Sequence, residues 1–216
     1  SSDLPVGVVA TITAWNFPSY LPARKWSGAL AAGCTVVGRP SELTPMSAMA
    51  LVNVMVESGI PEGVINLING DPPAQGEAIM RDPRVRKVSF TGSQRVGQIL
   101  MRQAADGIKK LGMELGGSAP VLVFADADMD WAAQQAVTAK FRNSGQVCIS
   151  PTRFYVEQPA LEDFLDAVKH HTEKLVVGNG LESGVTNGPL INAAGRDKVE
   201  TFVQDAIQKN ATVITG

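Results

Sequence analysis

The first two-thirds of this chain alternates short β-rich runs with longer helical ones, and few architectures accept that order. Residues 6–13 read as a buried strand, 23–32 as a helix and 35–38 as a second strand. A helix follows over 45–58, closed by Gly59 and restarting after Pro61. Next come a strand at 64–68, a helix at 72–81, a strand at 85–90, a helix at 94–105 and a strand at 109–114. The alternation predicts an α/β fold, a parallel sheet with helices on both faces. Such sheets bind ligands at the carboxyl ends of their strands, where Trp15-Asn16, Arg39, Gly70 and Thr91-Gly92-Ser93 fall.

After a break at Gly116-Gly117 the pattern resumes with a strand at 120–124. A helix opens at Asp128, carries apolar Trp131, Ala132, Ala136, Val137 and Ala139, and runs to Asn143. A strand at 153–156, a helix at 161–176, a loop at 178–189 and a helix at 193–209 follow. The segment Gly145-Gln146-Val147-Cys148 ends the first of these helices. That places Cys148 at a helix-to-loop junction, held by the scaffold yet able to face a cleft.

A lone cysteine is more often a buried structural residue than a nucleophile. Cys34, among apolar neighbours in Ala-Ala-Gly-Cys-Thr-Val-Val, fits the structural reading. Cys148 differs, because Asn143, Ser144 and Gln146 crowd around it, an odd composition for a core. A nucleophilic thiolate needs a partner that lowers its pKa or takes its proton. His170 and His171 lie in an amphipathic helix beside Glu173 and Lys174, where a solvated face is the simpler reading. Glu114, between apolar residues at a strand end and followed by two glycines, is the better partner. Partial burial there would suit general-base work, whereas a plain exposed strand-end glutamate is the alternative.

Composition narrows the class. With 216 residues the chain can bury one sizeable core, or one and a half domains. A net charge of −2 argues against a nucleic-acid footprint. No apolar run approaches the roughly 20 residues of a membrane span, and nothing at the N-terminus looks like a signal peptide. Two cysteines without metal-type spacing argue against a disulfide framework or a zinc site. These features predict a soluble, cytoplasmic protein with no metal.

No Gly-X-Gly-X-X-Gly is present. Gly92-Ser93-Gln94-Arg95-Val96-Gly97 is the nearest substitute, a strand-to-helix turn whose backbone N–H groups could hold a phosphate. A helix cap explains Ser93 equally well.

Four ordered motifs then carry a resemblance: Trp15-Asn16-Phe17-Pro18, Phe90-Thr91-Gly92-Ser93, Glu114-Leu115-Gly116-Gly117 and Phe141-Arg142-Asn143-Ser144-Gly145-Gln146-Val147-Cys148. Together they resemble the NAD(P)-dependent aldehyde dehydrogenase superfamily, most closely its succinate-semialdehyde dehydrogenase-like branch. The resemblance implies a variant Rossmann sheet in a cofactor domain over 1–116 and the first part of a second, catalytic α/β domain over 117–216. It implies Cys148 as nucleophile, Glu114 as general base and Asn16 as an oxyanion donor. The cofactor residues it implies are Thr13, Trp15, Arg39, Ser41, Glu42, Gly70, Phe90, Gly92, Ser93, Val96 and Leu115.

At the ribose the family usually has Lys-Pro-Ser/Ala-Glu, and here the first residue is Arg39. Its planar fork suits a 2′-phosphate, whereas Glu42 would repel that phosphate and accept from a 2′-hydroxyl. NAD is expected, with NADP as the alternative. Arg24 and Arg142 match positions that semialdehyde dehydrogenases use for the distal carboxylate, which predicts a small semialdehyde substrate such as succinate semialdehyde. Ser150 stands where some relatives carry a second, redox-switching cysteine, so no such switch is expected. Family members are longer at both ends, so the chain reads as a central fragment, with residues 1–4 as the tail of an oligomerisation hairpin and a homodimer or homotetramer as the parent. A catalytically inactive aldehyde dehydrogenase-like piece, an interaction module or a cysteine acyl hydrolase are the competing readings.

Overall fold

The computed structural model describes residues 4–216; Ser1, Ser2 and Asp3 lie outside the described residues, and with them most of the expected hairpin tail. The chain divides into two compact units, one ending at Gly116 and the other spanning Gly117–Gly216.

The first unit is a five-stranded parallel sheet of β1 (Val8–Ile12), β2 (Thr35–Arg39), β3 (Ile65–Leu67), β4 (Val85–Gly92) and β5 (Lys110–Leu115). Its spatial order is β3-β2-β1-β4-β5. The register sets Ala10 beside Val37 on one side and Val88 on the other, so β1 is central. Alternation along β1 decides which face each residue serves. Ala10 and Ile12 join Val88, Phe90, Ile79, Met80, Leu100 and Ala104 in one core. Val9 joins Val36, Trp26, Ala29, Cys34, Ala48 and Ile65 in the other. The first core is closed by α3 (Pro72–Arg81) and α4 (Gln94–Gly107), the second by α1 (Tyr20–Ala31) and α2 (Pro45–Glu57). Helices therefore cover both faces, as the alternation predicted.

The helix starts follow capping chemistry. Asp71 Oδ2 accepts from Ala74 N at 2.9 Å, ahead of Pro72-Pro73 in a first turn where missing N–H groups cost nothing. The same tolerance moves α1 earlier than expected. It begins at Tyr20 rather than residue 23, because Pro22 sits in the first turn, where no intrahelical donor is needed. No helix restarts after Pro61; a turn through Gly63, at φ +80°, leads directly into β3.

The second unit holds β6 (Ala119–Val123) and β7 (Pro151–Val156), which pair in parallel. Parallel neighbours need a crossover, and α5 (Met129–Phe141) supplies it, capped by Asp128 Oδ1 accepting from Trp131 N at 3.1 Å. Ala133, Ala136 and Val137 are its buried residues, whereas Trp131 and Ala139 face solvent. Val123, Ala133, Ala136 and Phe164 of α6 (Leu161–Thr172) form the core. α6 stops four residues short of the expected 176. Beyond Thr172, Val176 bonds instead to the returning loop, with Thr186 N and Asn187 N both donating to its carbonyl at 2.9 and 3.0 Å. The expectation of two solvated histidines is half right. His170 is exposed, but His171 lies between α6 and α5 with Nε2 2.8 Å from Asp130 Oδ1. The last helix, α7 (Ala193–Gln208), buries no residue and leaves Val199, Phe202, Val203 and Ile207 exposed. No helix among the described residues is long and apolar enough to cross a membrane.

Candidate functional site

In the first unit the sheet order sets β1 and β4 side by side, with connections diverging from them to opposite halves of the sheet. That is the switch point at whose carboxyl edge open α/β sheets hold ligands. Thr13, just past β1, is buried and its N–H donates to Arg39 O at 3.1 Å. Trp15 and Asn16 follow, half-buried. At the end of β2, Arg39 is buried and its Nη2 donates to Glu42 Oε2 at 2.6 Å. Its Nε donates to Gln75 Oε1 at 3.3 Å. Arg39 and Glu42 were expected to pull a ribose substituent in opposite directions; the structure pairs them with each other. Burial alone would raise the Glu42 carboxyl. Hydrogen bonds from its own backbone and from Arg39, with the charge of Arg39, outweigh that and hold it below its ordinary value. Ser41 is buried and its Oγ accepts from Leu43 N at 3.3 Å. Gly70, at φ +156°, has the Gln75 amide 3.2 Å from where a Cβ would stand.

At the end of β4 Phe90 is buried with its ring over Gly92, leaving no room for a Cβ there. Ser93 Oγ accepts from Val96 N at 3.3 Å, so this hydroxyl caps α4. Val96 and Leu115 are half-buried beside the same core. Thr91 is buried, and its Oγ1 has no hydrogen-bond partner among the described residues. An unpaired buried hydroxyl costs about 1–3 kcal/mol, which a bound polar ligand would relieve. A dinucleotide at this edge thus fits both the topology and an unsatisfied group.

Glu114 corrects one expectation. It pairs with Thr91 across the β4–β5 register but is exposed rather than partly buried. β5 is an edge strand, and Leu111, Met113 and Leu115 turn to the core while Glu114 points the other way. On that side lies Lys25, a residue sequence reasoning passed over. Its Nζ donates to Ser89 Oγ at 3.0 Å. Burial pushes the Lys25 ammonium below its ordinary value; Glu114 offsets part of this, while Arg24 and Lys87 add to it. Its place one residue before the buried Trp26, whose Nε1 donates to Thr11 Oγ1 at 2.9 Å, was the available signal. Arg24 is exposed, with Nη1 donating to Tyr20 Oη at 3.0 Å.

The two sulfur environments separate as their neighbouring residues predicted: Cys148 of the second unit is exposed, whereas Cys34 of the first unit is buried. Between α5 and Cys148 the chain makes a 3₁₀ turn, Arg142–Gly145, in which Asn143 (φ 50°, ψ 38°) and Ser144 (φ 55°, ψ 36°) are left-handed. Gly145 continues at φ 76°. For a residue with a Cβ this region costs of order 1–3 kcal/mol. The turn is tied from within by Gln146 Nε2 donating to Asn143 O at 3.0 Å. It is tied from outside by Ser144 Oγ donating to Gly188 O at 2.6 Å and Ile191 N donating to Gln146 Oε1 at 2.9 Å. Arg142 is exposed, and Ser150 is buried with Oγ donating to Lys140 O at 3.2 Å. The polar residues that set Cys148 apart in the sequence are therefore scaffold bonds of its loop. A cavity of about 570 Å³ lined by Glu77, Arg81, Arg86, Asp106 and Lys109 lies at the opposite, amino-terminal edge of the first sheet. Among the described residues no cluster of three or more His, Cys, Asp or Glu could hold a metal.

Comparison with known proteins accords with this arrangement. The model of the aldehyde dehydrogenase family matches residues 1–216. The mitochondrial succinate-semialdehyde dehydrogenase of Arabidopsis thaliana is 50% identical over 212 residues, 98% of this chain and 40% of that protein. The NADP(+)-linked succinate-semialdehyde dehydrogenase of Escherichia coli is 46% identical over 98% of the chain and 44% of its own length. Among solved structures, succinate-semialdehyde dehydrogenase from Burkholderia pseudomallei superposes with a TM-score of 0.97 at 49% identity, over 99% of this chain and 44% of that one. The chain thus spans less than half the length of these relatives. With the parallel sheet, the Glu114 strand end and the Cys148 loop in place, it belongs to the aldehyde dehydrogenase family.

Proposed function

We propose that this chain carries the cofactor-binding and nucleophile-bearing parts of an NAD(P)-dependent dehydrogenase that oxidises a small carboxylate-bearing semialdehyde, succinate semialdehyde first, to its acid. The observation that carries the reading is the exposed Cys148 on a hydrogen-bonded, left-handed loop, in a chain of this family.

Cys148 as thiolate adds to the aldehyde carbon, forming a C–S bond and a thiohemiacetal oxyanion. The Cys148 backbone N–H would donate to that oxygen, and Asn16 is proposed as the side-chain oxyanion donor, such a donor being worth on the order of 3–4 kcal/mol in comparable sites. A bound nicotinamide would supply the hydride acceptor, and loss of hydride from the former aldehyde carbon would leave a thioester on Cys148. Glu114 then takes a proton from the water that attacks the thioester, and the acid leaves as the thiolate is restored. Exposure of Glu114 leaves water free to reach it. Arg39, Ser41 and Glu42 would hold the adenosine ribose, and Gly92 and Ser93 would lie at the pyrophosphate. Thr13, Trp15, Gly70, Phe90, Val96 and Leu115 would line the remainder. NAD is the preferred cofactor, because Arg39 is committed to Glu42, whose carboxylate would repel a 2′-phosphate. Arg24 and Arg142 would bind the distal carboxylate. The whole protein would work as a homodimer or homotetramer.

The test is a pair of variants in the whole protein. Cys148→Ala should abolish turnover while leaving nucleotide binding near normal. Glu114→Gln should give a pre-steady-state burst of NADH followed by little steady turnover. Undiminished turnover in Cys148→Ala would refute the reading; loss of the burst in Glu114→Gln would move Glu114 to an earlier step.

A further inference from the structure

The turn before Cys148 places three consecutive residues, Asn143, Ser144 and Gly145, in the left-handed region, and only the glycine adopts it freely. Such a conformation persists when its surroundings hold it. Here the surroundings are remote in sequence: the loop that follows α6. Besides the bonds from Ser144 to Gly188 O and from Ile191 to Gln146, Asn187 Nδ2 donates to Phe141 O at 2.9 Å, where α5 ends. Asn187 is itself buried. Its backbone is fixed in turn, N donating to Val176 O at 3.0 Å and O accepting from Gly178 N at 3.0 Å. A buried polar residue tied at three points, once by its side chain and twice by its backbone, is a built fixture rather than an exposed loop residue.

We propose that Ser144, Gln146 and Asn187 are positioning residues, with residues 187–191 acting as a strap that holds the 142–148 turn in its left-handed conformation. The turn sets the direction in which Cys148 presents both its sulfur and its backbone N–H. The proposal rests on Cys148 being the nucleophile and gives that reading a cause: the loop is strained because its geometry is imposed. Nucleophilic addition depends on sub-ångström placement, so release of the strap lowers the chemical step and not the affinity for nucleotide.

Two substitutions at one position separate strap from side chain. Ser144→Ala removes the hydroxyl and keeps the strain; Ser144→Gly removes both. In the whole protein, Ser144→Ala should speed amide hydrogen exchange over 142–149 while α5 and β7 keep their protection. Its kcat should fall roughly ten- to hundredfold with the KM for nucleotide unchanged. Ser144→Gly, for which the left-handed backbone is free of strain, should recover most of that kcat. Asn187→Ala should follow Ser144→Ala in both readouts, and its Tm identifies any general unfolding. Native kcat and native exchange in Ser144→Ala would overturn the proposal. So would a Ser144→Gly variant as impaired as Ser144→Ala, since the hydroxyl itself would then be what matters. If Cys148→Ala still turns over, the nucleophile reading falls alone, and the exchange measurement still decides whether the strap exists.

Discussion

If Arg24 and Arg142 bind the distal carboxylate as proposed, each contributes to the preference among aldehydes. A charge-assisted pair with a desolvated carboxylate contributes roughly 1.5–3 kcal/mol. At about 1.36 kcal/mol per decade, truncating either arginine should lower kcat/KM for succinate semialdehyde by about one to two orders of magnitude. Butanal has the same carbon skeleton length without the carboxylate and should be nearly unaffected. Equal losses for both aldehydes would make the arginines structural. Lys25 carries a different prediction. Its folded pKa lies below the ordinary 10.5 because of burial, so its charged form destabilises the native state at lower pH. As pH rises from the folded pKa toward 10.5, the native state releases a proton that the unfolded chain keeps, and stability rises. The stability of the wild type relative to Lys25→Met should therefore climb with pH across that window, measured by denaturant unfolding. A flat difference would mean that Lys25 is not perturbed by folding.

Among the elements, β2 is tightly constrained at Gly38. A Cβ on Gly38 would stand 2.7 Å from Leu67 Cδ2 and 3.0 Å from the Trp26 ring. Trp26 cannot retreat easily, being buried and bonded to Thr11. Gly38→Ala should cost about 1–3 kcal/mol, the usual cost of overpacking, and lower the Tm by several degrees; an unchanged Tm would show that the ring has slack. All five strands of the first unit were legible because β-branched runs such as Val8-Val9 and Val36-Val37 alternate with helical stretches. Local chemistry also revealed the helix start at Asp128 and the helix close at Gly59. What stayed hidden depends on partners far along the chain. Ser144 meets Gly188 across 44 positions and Lys25 meets Ser89 across 64, and no local pattern encodes either. The early end of α6 has the same origin, since its continuation is drawn off by Thr186 and Asn187. The burial of Glu114 was overestimated because the sequence does not say which strand lies at the sheet edge.

For the whole molecule, the proposed division of labour follows the two units. The first supplies a parallel sheet with a paired Arg39–Glu42 and an unsatisfied Thr91 hydroxyl at its carboxyl edge. The second supplies an exposed thiol on a loop whose conformation is imposed by distant hydrogen bonds. Fold is no guide to chemistry by itself; what supports the proposed thioester chemistry is that Cys148 is exposed whereas Cys34 is buried. Trapping that thioester is the most direct measurement. Glu114→Gln in the whole protein would be mixed with NAD and succinate semialdehyde, quenched in acid within the burst phase, digested and mapped by mass spectrometry. We expect a succinyl adduct on the peptide containing Cys148, dependent on NAD, and none on the peptide containing Cys34. NADH formed in the burst with Cys148 left unmodified, or an adduct on Cys34 instead, would contradict the proposed chemistry.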